Sequence, residues 1–287
     1  MQSTSPRAPA NAVATERLKL FIAYDGAPFE GWQSQARGNT VQDHIERAFK
    51  IICGIRIGLH GSGRTDTGVH ARGQVVHLDV EEESVSAAAG RFDGDAFAAV
   101  ARRLNGVLSA DLRVRRVLAA PDGFDARFSP VWRRYAYRVC DGVPDPLTRG
   151  QVLAWSRALD VEAMNAASAG LLGLHDFAAF CKQREGATTV RTLLDLSWVR
   201  AGDELTGTVR ADAFCHHMVR SLVGCLLAVG EGRRPVDWPT EVLAAGVREG
   251  AVTVVPALGL TLEEVGYPSD DELAARAAQA RAKRELP

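Results

Sequence analysis

The sequence lacks any apolar run long enough to cross a lipid bilayer, although 46% of its 287 residues are hydrophobic. A membrane-spanning helix needs about 20 predominantly apolar residues, so we expect no membrane-bound form. The first fifteen residues also lack the continuous apolar stretch of a secretory signal, and their Pro, Ser and Ala content is typical of a disordered tail. We therefore expect a cytoplasmic protein whose residues 1–15 form a disordered tail.

Cysteine is scarce, and its five copies are odd in number, far apart and without a C-x-x-C pair. This spacing argues against a disulfide framework and against a zinc knuckle, so we expect reduced, buried and unreactive thiols. The five residues are Cys53, Cys140, Cys181, Cys215 and Cys225. His216 and His217 follow one of them, but adjacent residues of a helix point to different faces. We therefore expect no metal site there.

Lysine is also scarce, with four copies against thirty arginines, and the formal net charge is −1. No global positive field therefore indicates a nucleic-acid partner. Residues 99–138 nevertheless hold nine arginines against three aspartates. Because the planar guanidinium suits phosphate, this local excess favours a polyanionic partner. The alternative explanation is a coding sequence biased toward arginine codons.

The first half of the chain alternates between strand and helix patterns. The segment RLKLFIAYDG places apolar side chains at every second residue, which predicts a half-buried strand. TVQDHIERAFKII then changes to helical spacing, and Thr40 with Asp43 resembles a capping box. GQVVHLDV and LRVRRVL are predicted strands on either side of a helix from about Asp95 to Leu108.

A second series of the same elements begins at Arg133. RRYAYRVCDG predicts a strand, LDVEAMNAASAGLLG a helix, and LLDLSWV with LTGTVRA a strand hairpin. An apolar helix in FCHHMVRSLVGCLLAVG, a short helix near residues 241–248 and the strand LTLEEVGY follow. We predict an α+β fold of two similar halves, residues 16–125 and 126–268, each a largely antiparallel sheet covered by helices, with a cleft between them. Residues 269–287 are predicted to form a charged helical or disordered tail.

The loop HGSGRTDTG carries a single carboxylate, Asp66, among three glycines. Asp66 stands where the third glycine of a dinucleotide loop belongs, and no lysine follows as in a P-loop. A hydrolytic glycosidase needs a second carboxylate, and the sequence offers no obvious one. We interpret the lone acid as a nucleophile or a sole general base. The alternative is a turn residue that caps its own backbone.

Arg220 lies at the margin of the apolar arc of its predicted helix. A guanidinium there needs a carboxylate partner or water, and the alternative is a side chain that extends to the surface. We predict an ion pair between Arg220 and Asp66 across the cleft, at roughly 2.7 to 3.2 Å. Tyr135 and Tyr137 share one strand face among arginines, which is typical of residues that stack an unpaired base. Two tyrosines of a core would show the same spacing.

Six segments of the chain together resemble the TruA-type tRNA pseudouridine synthases in sequence and in order. They lie between residues 18 and 267 and read YDGAPFEGWQSQ, TVQDHIERAF, GRTDTGVHARGQVVH, FDARFSPVWRRYAYRV, LLGLHDFAAF and FCHHMVRSLVG. Thr67 departs from the family pattern, in which alanine is usual, and Ser109 stands where proline is common. Neither departure replaces a chemical group of the motifs, although Thr67 stands next to Asp66.

The resemblance implies an enzyme that converts uridine to pseudouridine at positions 38 to 40 of the anticodon arm of tRNA. It implies a homodimer that acts on tRNA without cofactor or metal. Asp66 would be the catalytic residue, and Arg64 would be associated with flipping the target base. Tyr135 would stack on that base, Arg220 would pair with the nucleophile, and Leu260 would form an apolar wall.

An isomerisation of this kind needs only one nucleophile. The N-glycosidic bond breaks, the uracil turns, and the base rejoins the sugar through C5 without water. Attack of Asp66 at C1′ of the sugar, attack at C6 of the base and elimination at C2′ all stay open. The glycines of the loop are expected to let the backbone approach a flipped nucleotide. The alternative function is a non-catalytic RNA-binding module or tRNA chaperone, which would not require Asp66.

Overall fold

The computed structural model describes residues 15–91, 94–182, 186, 188–247 and 250–281. The tail predicted for residues 1–15 therefore lies outside the described residues, except for Thr15, which begins the first strand. The last six residues of the predicted tail 269–287 also lie outside them. Within the described part of the chain, no helix combines the length and apolar character that a membrane span requires.

Strands and helices alternate along the chain. The strands are β1 Thr15–Tyr24, β2 His60–Gly61, β3 His70–Glu81, β4 Leu112–Ala119, β5 Trp132–Cys140, β6 Leu153–Ala154, β7 Gly173–Asp176, β8 Val190–Ala201, β9 Glu204–Ala211 and β10 Leu260–Gly266. The α-helices are α1 Val41–Cys53, α2 Glu82–Ala89, α3 Ala96–Val107, α4 Val161–Ala169, α5 Met218–Gly230, α6 Trp238–Ala245 and α7 Leu273–Arg281. Short 3-10 turns lie at Ala178–Phe180, Ala257–Gly259 and Asp270–Glu272.

The strands form one continuous sheet in the order β4-β1-β3-β10-β5-β9-β8-β7, with β2 paired to β3 and β6 to β5. Its pairs are antiparallel except that β10 runs parallel to β3 and β6 parallel to β5. Strands β1, β3 and β4 belong to the first predicted half, and β5, β7, β8 and β9 to the second. Strand β10 joins these two groups. The α+β fold with a largely antiparallel sheet is thus confirmed, whereas the boundaries near residues 125 and 268 stay a prediction.

One face of the sheet carries the main hydrophobic core. Leu18, Leu20 and Ile22 of β1 are buried on this face, as the two-residue period of a strand requires. Helices of both halves complete the core, with Phe49 from α1 and Leu222 from α5. The two halves therefore share one continuous core.

The opposite face of the sheet carries a smaller apolar cluster. Val75 of β3, Phe124 and Leu273 of α7 form it, and Phe21 of β1 packs against them. Because Phe21 and Val75 alternate with residues of the main core, β1 and β3 are covered on both faces. The described part of the predicted tail thus contains a helix, α7, that contributes to this cluster.

Helix α1 has the ends that its sequence predicts. The Thr40 hydroxyl accepts a hydrogen bond from Asp43 N at 3.3 Å, and Asp43 Oδ2 accepts one from Thr40 N at 3.2 Å. The predicted capping box is therefore confirmed. Gly54 ends the helix in the left-handed conformation, with φ of 74°. The second predicted helix is α3, which begins after its N-cap Asp95.

Two helices of the second half begin at residues other than those predicted. Helix α6 starts at Trp238 rather than near residue 241, because Pro239 suits the first helical turn, and Gly246 ends the helix in the left-handed conformation. Helix α5 starts at Met218, so residues 214–217 form a loop rather than the first turn of the apolar helix. This loop carries the two adjacent histidines.

Candidate active site

A cleft of about 730 Å³ opens where the two halves meet. Its walls include the loop between β2 and β3, the loop between β9 and α5, and the first residue of β10. These segments lie far apart in the sequence, and the sheet brings them together over its central strands. The predicted cleft is therefore lined by residues of both halves.

A buried glutamine holds the loop that carries Asp66. Gln74 of β3 is fully buried, and its Nε2 donates to Gly63 O at 2.7 Å. Its Oε1 accepts from Ser62 Oγ at 2.6 Å and from Gly63 N at 3.2 Å. Because buried polar groups are costly without partners, these bonds fix the backbone that leads to Asp66.

The same loop packs against β1 and against the segment that follows β1. Thr65 Oγ1 lies 2.8 Å from the Tyr24 hydroxyl, and Thr65 O accepts a hydrogen bond from Trp32 N at 3.0 Å. Burial raises the pKa of Tyr24 to about 12, so this hydroxyl stays protonated at neutral pH. A Cβ on Gly61 would come within 2.6 Å of the Trp32 indole. Packing against Trp32 therefore requires glycine at Gly61.

Asp66 lies in the cleft among three nitrogen-bearing side chains of the second half. Its Oδ2 lies 3.5 Å from Arg220 Nη1 and 3.7 Å from His217 Nε2. Its Oδ1 lies 3.3 Å from His216 Nε2. The Asp66 side chain is 24% exposed, so a ligand in the cleft can reach it. The structure thus brings Arg220 to Asp66, at a longer distance than the 2.7 to 3.2 Å that we predicted from hydrogen-bond geometry.

Arg220 also binds a backbone carbonyl of its own half of the chain. Arg220 is the one residue of α5 that is not fully buried, and its side chain is 17% exposed. Its Nε donates to Val255 O at 2.7 Å, and its backbone O accepts from Val255 N at 3.3 Å. The Nε group thus binds this carbonyl, while Nη1 is the guanidinium nitrogen that approaches Asp66.

The sequence pattern did not indicate the two histidines as site residues. We expected them to point apart on a helix, but both precede α5, and His217 has left-handed backbone geometry with φ of 69°. Their ring centroids lie 4.0 Å apart, and both rings approach the same carboxylate. The helical argument against a metal site is therefore wrong.

Asp66, His216 and His217 also have the spacing of a metal-binding group, since one ligand atom from each lies within 4.8 Å of the others. The Arg220 guanidinium contacts the same carboxylate at 3.5 Å. A positive group at that distance opposes the binding of a second cation. The absence of a bound metal in the working protein stays a prediction.

The two tyrosines of β5 have different surroundings. Tyr135 lines the cleft and meets the Phe214 ring edge to face, with centroids 5.2 Å apart. Tyr137 is fully buried, and its hydroxyl donates to Pro256 O at 2.8 Å. Burial raises the pKa of Tyr135, so its hydroxyl is protonated at neutral pH. Tyr137 therefore belongs to the core, whereas Tyr135, which is 8% exposed and packs into the same core, also forms part of the cleft wall.

The arginines beside Tyr135 have partners within the protein. Arg133 donates to Ser62 O at 3.0 Å and to Asp212 O at 2.9 Å, and so joins the loops on the two sides of the cleft. Burial lowers the pKa of this guanidinium, and its carbonyl partners compensate for the lost water. Arg134 lies 3.0 Å from a carboxylate oxygen of Glu264. The local excess of arginine thus serves the fold at these positions.

The remaining predicted site residues also line the cleft. Leu260, the first residue of β10, is buried in its wall. Arg64 and Thr67 are exposed at its margin. The structure therefore brings Asp66, Arg64, Tyr135, Arg220 and Leu260 to one cleft, while their individual roles stay predictions.

The prediction of five reduced cysteines is wrong for one pair. Cys181 and Cys215 form a disulfide, with Cα atoms 5.8 Å apart. The sequence separation of 34 gave no sign of this pair, because the turn before residue 182 and the loop before α5 meet only in the fold. The free cysteines are Cys53, Cys140 and Cys225. Burial raises the pKa of Cys225 to about 12, which agrees with an unreactive thiol.

Comparisons with known proteins identify the family. A family model described as tRNA pseudouridine synthase matches residues 167–268. The tRNA pseudouridine synthase A of Streptomyces griseus subsp. griseus is 54% identical over 277 residues, which cover 94% of this chain and 95% of the relative. The protein of the same name from Frankia casuarinae is 52% identical over 275 residues, covering 94% and 96%. The one from Mycobacterium leprae is 48% identical over 279 residues, covering 95% and 97%. With such identity over nearly its whole length, the chain belongs to the tRNA pseudouridine synthase family.

Proposed function

We propose that this chain is an isomerase that converts uridine to pseudouridine in the anticodon arm of tRNA, with Asp66 as its nucleophile. One observation carries the proposal: a cleft carboxylate of the first half faces Arg220, His216 and His217 of the second half. The relatives are named tRNA pseudouridine synthase A, which supports the reaction and the substrate class. The target uridines are those at positions 38 to 40, as the resemblance implies.

The other cleft carboxylates favour isomerisation over hydrolysis. Among the described residues that line the cleft, Glu30 and Asp212 also carry carboxylates. Glu30 lies 3.5 Å from Arg37 Nη1, and Asp212 Oδ1 accepts a hydrogen bond from Thr192 N at 3.2 Å. A hydrolase with paired carboxylates needs a second acid that activates water. The proposed isomerisation assigns neither of these two acids a role, since no water has to be activated.

The proposed reaction is balanced without an added reactant. The bond between N1 and C1′ breaks, the uracil turns, and a bond forms between C5 and C1′. The proton on C5 leaves and N1 gains a proton, so the product is an isomer of the substrate. Attack of Asp66 at C1′, attack at C6 and elimination at C2′ are the three routes to it. In each route, the positive guanidinium of Arg220 stabilises the carboxylate charge.

The target uridine must leave its helical stack before Asp66 can reach it. Tyr135 supplies an aromatic ring on which the extruded base stacks, and Leu260 supplies an apolar wall beside it. Arg64, exposed at the cleft margin, takes part in flipping the base. A homodimer and a cytoplasmic location belong to the same proposal, on the strength of the resemblance alone.

Asp66→Asn tests the proposal, because it removes the nucleophile and keeps the size of the side chain. We expect no measurable pseudouridine in an unmodified tRNA transcript and a tRNA affinity within roughly threefold of wild type, since the lost charge is negative. Asp79→Asn is the matched control: Asp79 lies outside the cleft, in an exposed ion pair with Arg17. Wild-type turnover by Asp66→Asn would refute the catalytic role and favour an RNA-binding module or tRNA chaperone.

A deletion strain tests the substrate positions. We expect pseudouridine to disappear from positions 38 to 40 of tRNAs that carry uridine there, and to persist elsewhere in the same molecules. Complementation with the wild-type gene restores the modification, whereas complementation with Asp66→Asn does not. Loss at other positions only would contradict the proposed substrate, and would leave the isomerisation chemistry intact.

A further inference from the structure

The two oxygens of Asp66 face different partners. Arg220 Nη1 and His217 Nε2 face Oδ2, at 3.5 and 3.7 Å, while His216 Nε2 faces Oδ1 at 3.3 Å. The torsion between Cβ and the carboxylate of an aspartate is intrinsically broad, so a contact with one oxygen leaves the carboxylate plane free to turn. Contacts with both oxygens fix that plane.

The backbone at His217 is strained in a way that serves this contact. Among the described residues, His217 is the only one other than glycine with positive φ, at 69°. This conformation is unfavourable for a residue with a Cβ, and such strain is concentrated at functional sites. His217 is the N-cap of α5, yet its side chain makes no capping hydrogen bond. The conformation thus brings two adjacent rings to one carboxylate instead of capping the helix.

The segment that carries the histidines is anchored on both sides. His216 O accepts a hydrogen bond from Lys182 N at 2.9 Å, and the preceding Cys215 is bonded to Cys181. On the other side, His217 O accepts from Ser221 N at 2.9 Å, within α5. The imidazoles therefore extend from a fixed backbone, which is what a group needs if it is to orient another side chain.

We propose that His216 and His217 are positioning residues that hold the Asp66 carboxylate in its reactive orientation. His216 Nε2 contacts Oδ1 at 3.3 Å, and His217 Nε2 contacts Oδ2 at 3.7 Å, beside Arg220. This inference rests on the proposed role of Asp66 as nucleophile. The histidines act through Asp66 and not on the uridine, so their loss lowers the rate of the chemical step and leaves tRNA binding unchanged. A misplacement of about 1 Å at a reacting group costs on the order of 100-fold in rate.

Variants of His216 separate its polar contact with Asp66 from its shape. His216→Leu removes the polar nitrogen, whereas His216→Gln keeps a polar nitrogen at nearly the same reach. We expect His216→Leu to lower kcat about 10- to 100-fold, with KM and the Kd for tRNA within threefold of wild type. We expect His216→Gln to recover most of this loss. His175→Leu is the control, because His175 lies on β7 and outside the cleft lining.

His217→Gly provides a variant that retains the fold. Glycine adopts the left-handed conformation without a steric cost, so we expect a melting temperature no lower than that of wild type. We expect kcat to fall at least threefold, with an unchanged Kd for tRNA. A wild-type kcat would overturn the role of His217.

Four outcomes overturn the inference or separate it from the proposed function. Equal, wild-type kcat for His216→Leu and His216→Gln shows that His216 does not position Asp66. A weakened Kd with an unchanged kcat shows that His216 contacts tRNA instead. If these variants are fully active while Asp66→Asn is inactive, the inference alone fails. If Asp66→Asn is itself active, the proposed function fails first.

Discussion

Replacing Arg220 by lysine or by alanine separates the charge of this side chain from its geometry. The guanidinium joins two parts of the chain to the first helical turn of α5: Nε donates to Val255 O at 2.7 Å, and Nη1 lies 3.5 Å from Asp66 Oδ2. Lysine keeps a positive charge but has one nitrogen for two partners. Alanine removes the charge and both contacts.

The structure sets the size of the expected effects. A hydrogen bond from a charged group contributes about 1.5 to 3 kcal/mol to stability. Breaking a fully buried ion pair costs about 3 to 5 kcal/mol, and an exposed pair about 0 to 1. With side chains 17% and 24% exposed and 3.5 Å between them, the pair of Arg220 and Asp66 lies between these limits. We therefore expect Arg220→Ala to lose about 2 to 4 kcal/mol of unfolding free energy, and Arg220→Lys about 1 to 2.

The rate of pseudouridine formation should follow the same order. Since each 1.4 kcal/mol of lost transition-state stabilisation is about tenfold in rate, we expect about a 100-fold loss for Arg220→Ala and about a tenfold loss for Arg220→Lys. Single-turnover measurements with enzyme in excess over a tRNA transcript report this step directly. Urea unfolding monitored by circular dichroism reports the stability of each variant.

Arg157→Ala is the matched control: Arg157 is 61% exposed and lies 3.6 Å from the buried acid Glu231, which keeps its contact with Arg233 when Arg157 is removed. It should change the unfolding free energy by less than about 1 kcal/mol and leave the rate unaltered. An Arg220→Ala protein as stable and as active as wild type would refute the pairing argument. If Arg220→Lys is as impaired as Arg220→Ala, the bond to Val255 O, and not the charge, is what the site requires.

Three further predictions concern the base, the pH and metals. Tyr135→Phe should bind tRNA as wild type does, whereas Tyr135→Ala should lose about 1 to 3 kcal/mol of binding free energy in a filter-binding assay; equal losses would contradict stacking. Burial, and to a smaller extent the positive charge of Arg17, lowers the pKa of His77 to about 4. Its neutral ring accepts a hydrogen bond from Ala126 N at 3.0 Å. The stabilisation of the folded state by the neutral His77 ring is complete above about pH 6.5 and is lost as the pH falls toward 4. The urea concentration at the unfolding midpoint should therefore fall over that interval, and it should fall less in His77→Gln. EDTA should leave the rate unchanged, since Arg220 opposes a cation beside Asp66; a loss that zinc restores would indicate a metal.

Local sequence patterns predicted the helices and strands whose structure depends on contacts within a single segment. The capping box of Thr40 and the N-cap Asp95 fixed the starts of α1 and α3, because the partners of these caps lie within three residues. The strand order required information that no local pattern carries. Strand β10 pairs with β5 and β3, and its partner His70 is nearly two hundred residues away. The short strands β2 and β6, and helix α2, were also missed.

The candidate site was predictable where a residue type is unusual for its segment. Asp66 was conspicuous as a lone acid in a glycine-rich loop, and Arg220 as a charge at the edge of an apolar helix. His216 and His217 were not, because their convergence depends on one left-handed residue and on a helix that starts after it. The backbone conformation of a histidine has no sequence signal comparable to that of glycine.

Strand β10 has a further consequence for the order in which the protein is assembled during translation. It lies between β3 and β5, but it is the last strand to leave the ribosome. Before that, β1 can pair with β3, and β5 can pair with β9, since each of these antiparallel pairs lies within its own half of the chain. The two halves of the sheet gain a shared strand, and the cleft its Leu260 wall, only when residues 260–266 arrive. A nascent chain that lacks residues 260–266 therefore lacks both the strand that links β3 to β5 and the Leu260 wall of the cleft.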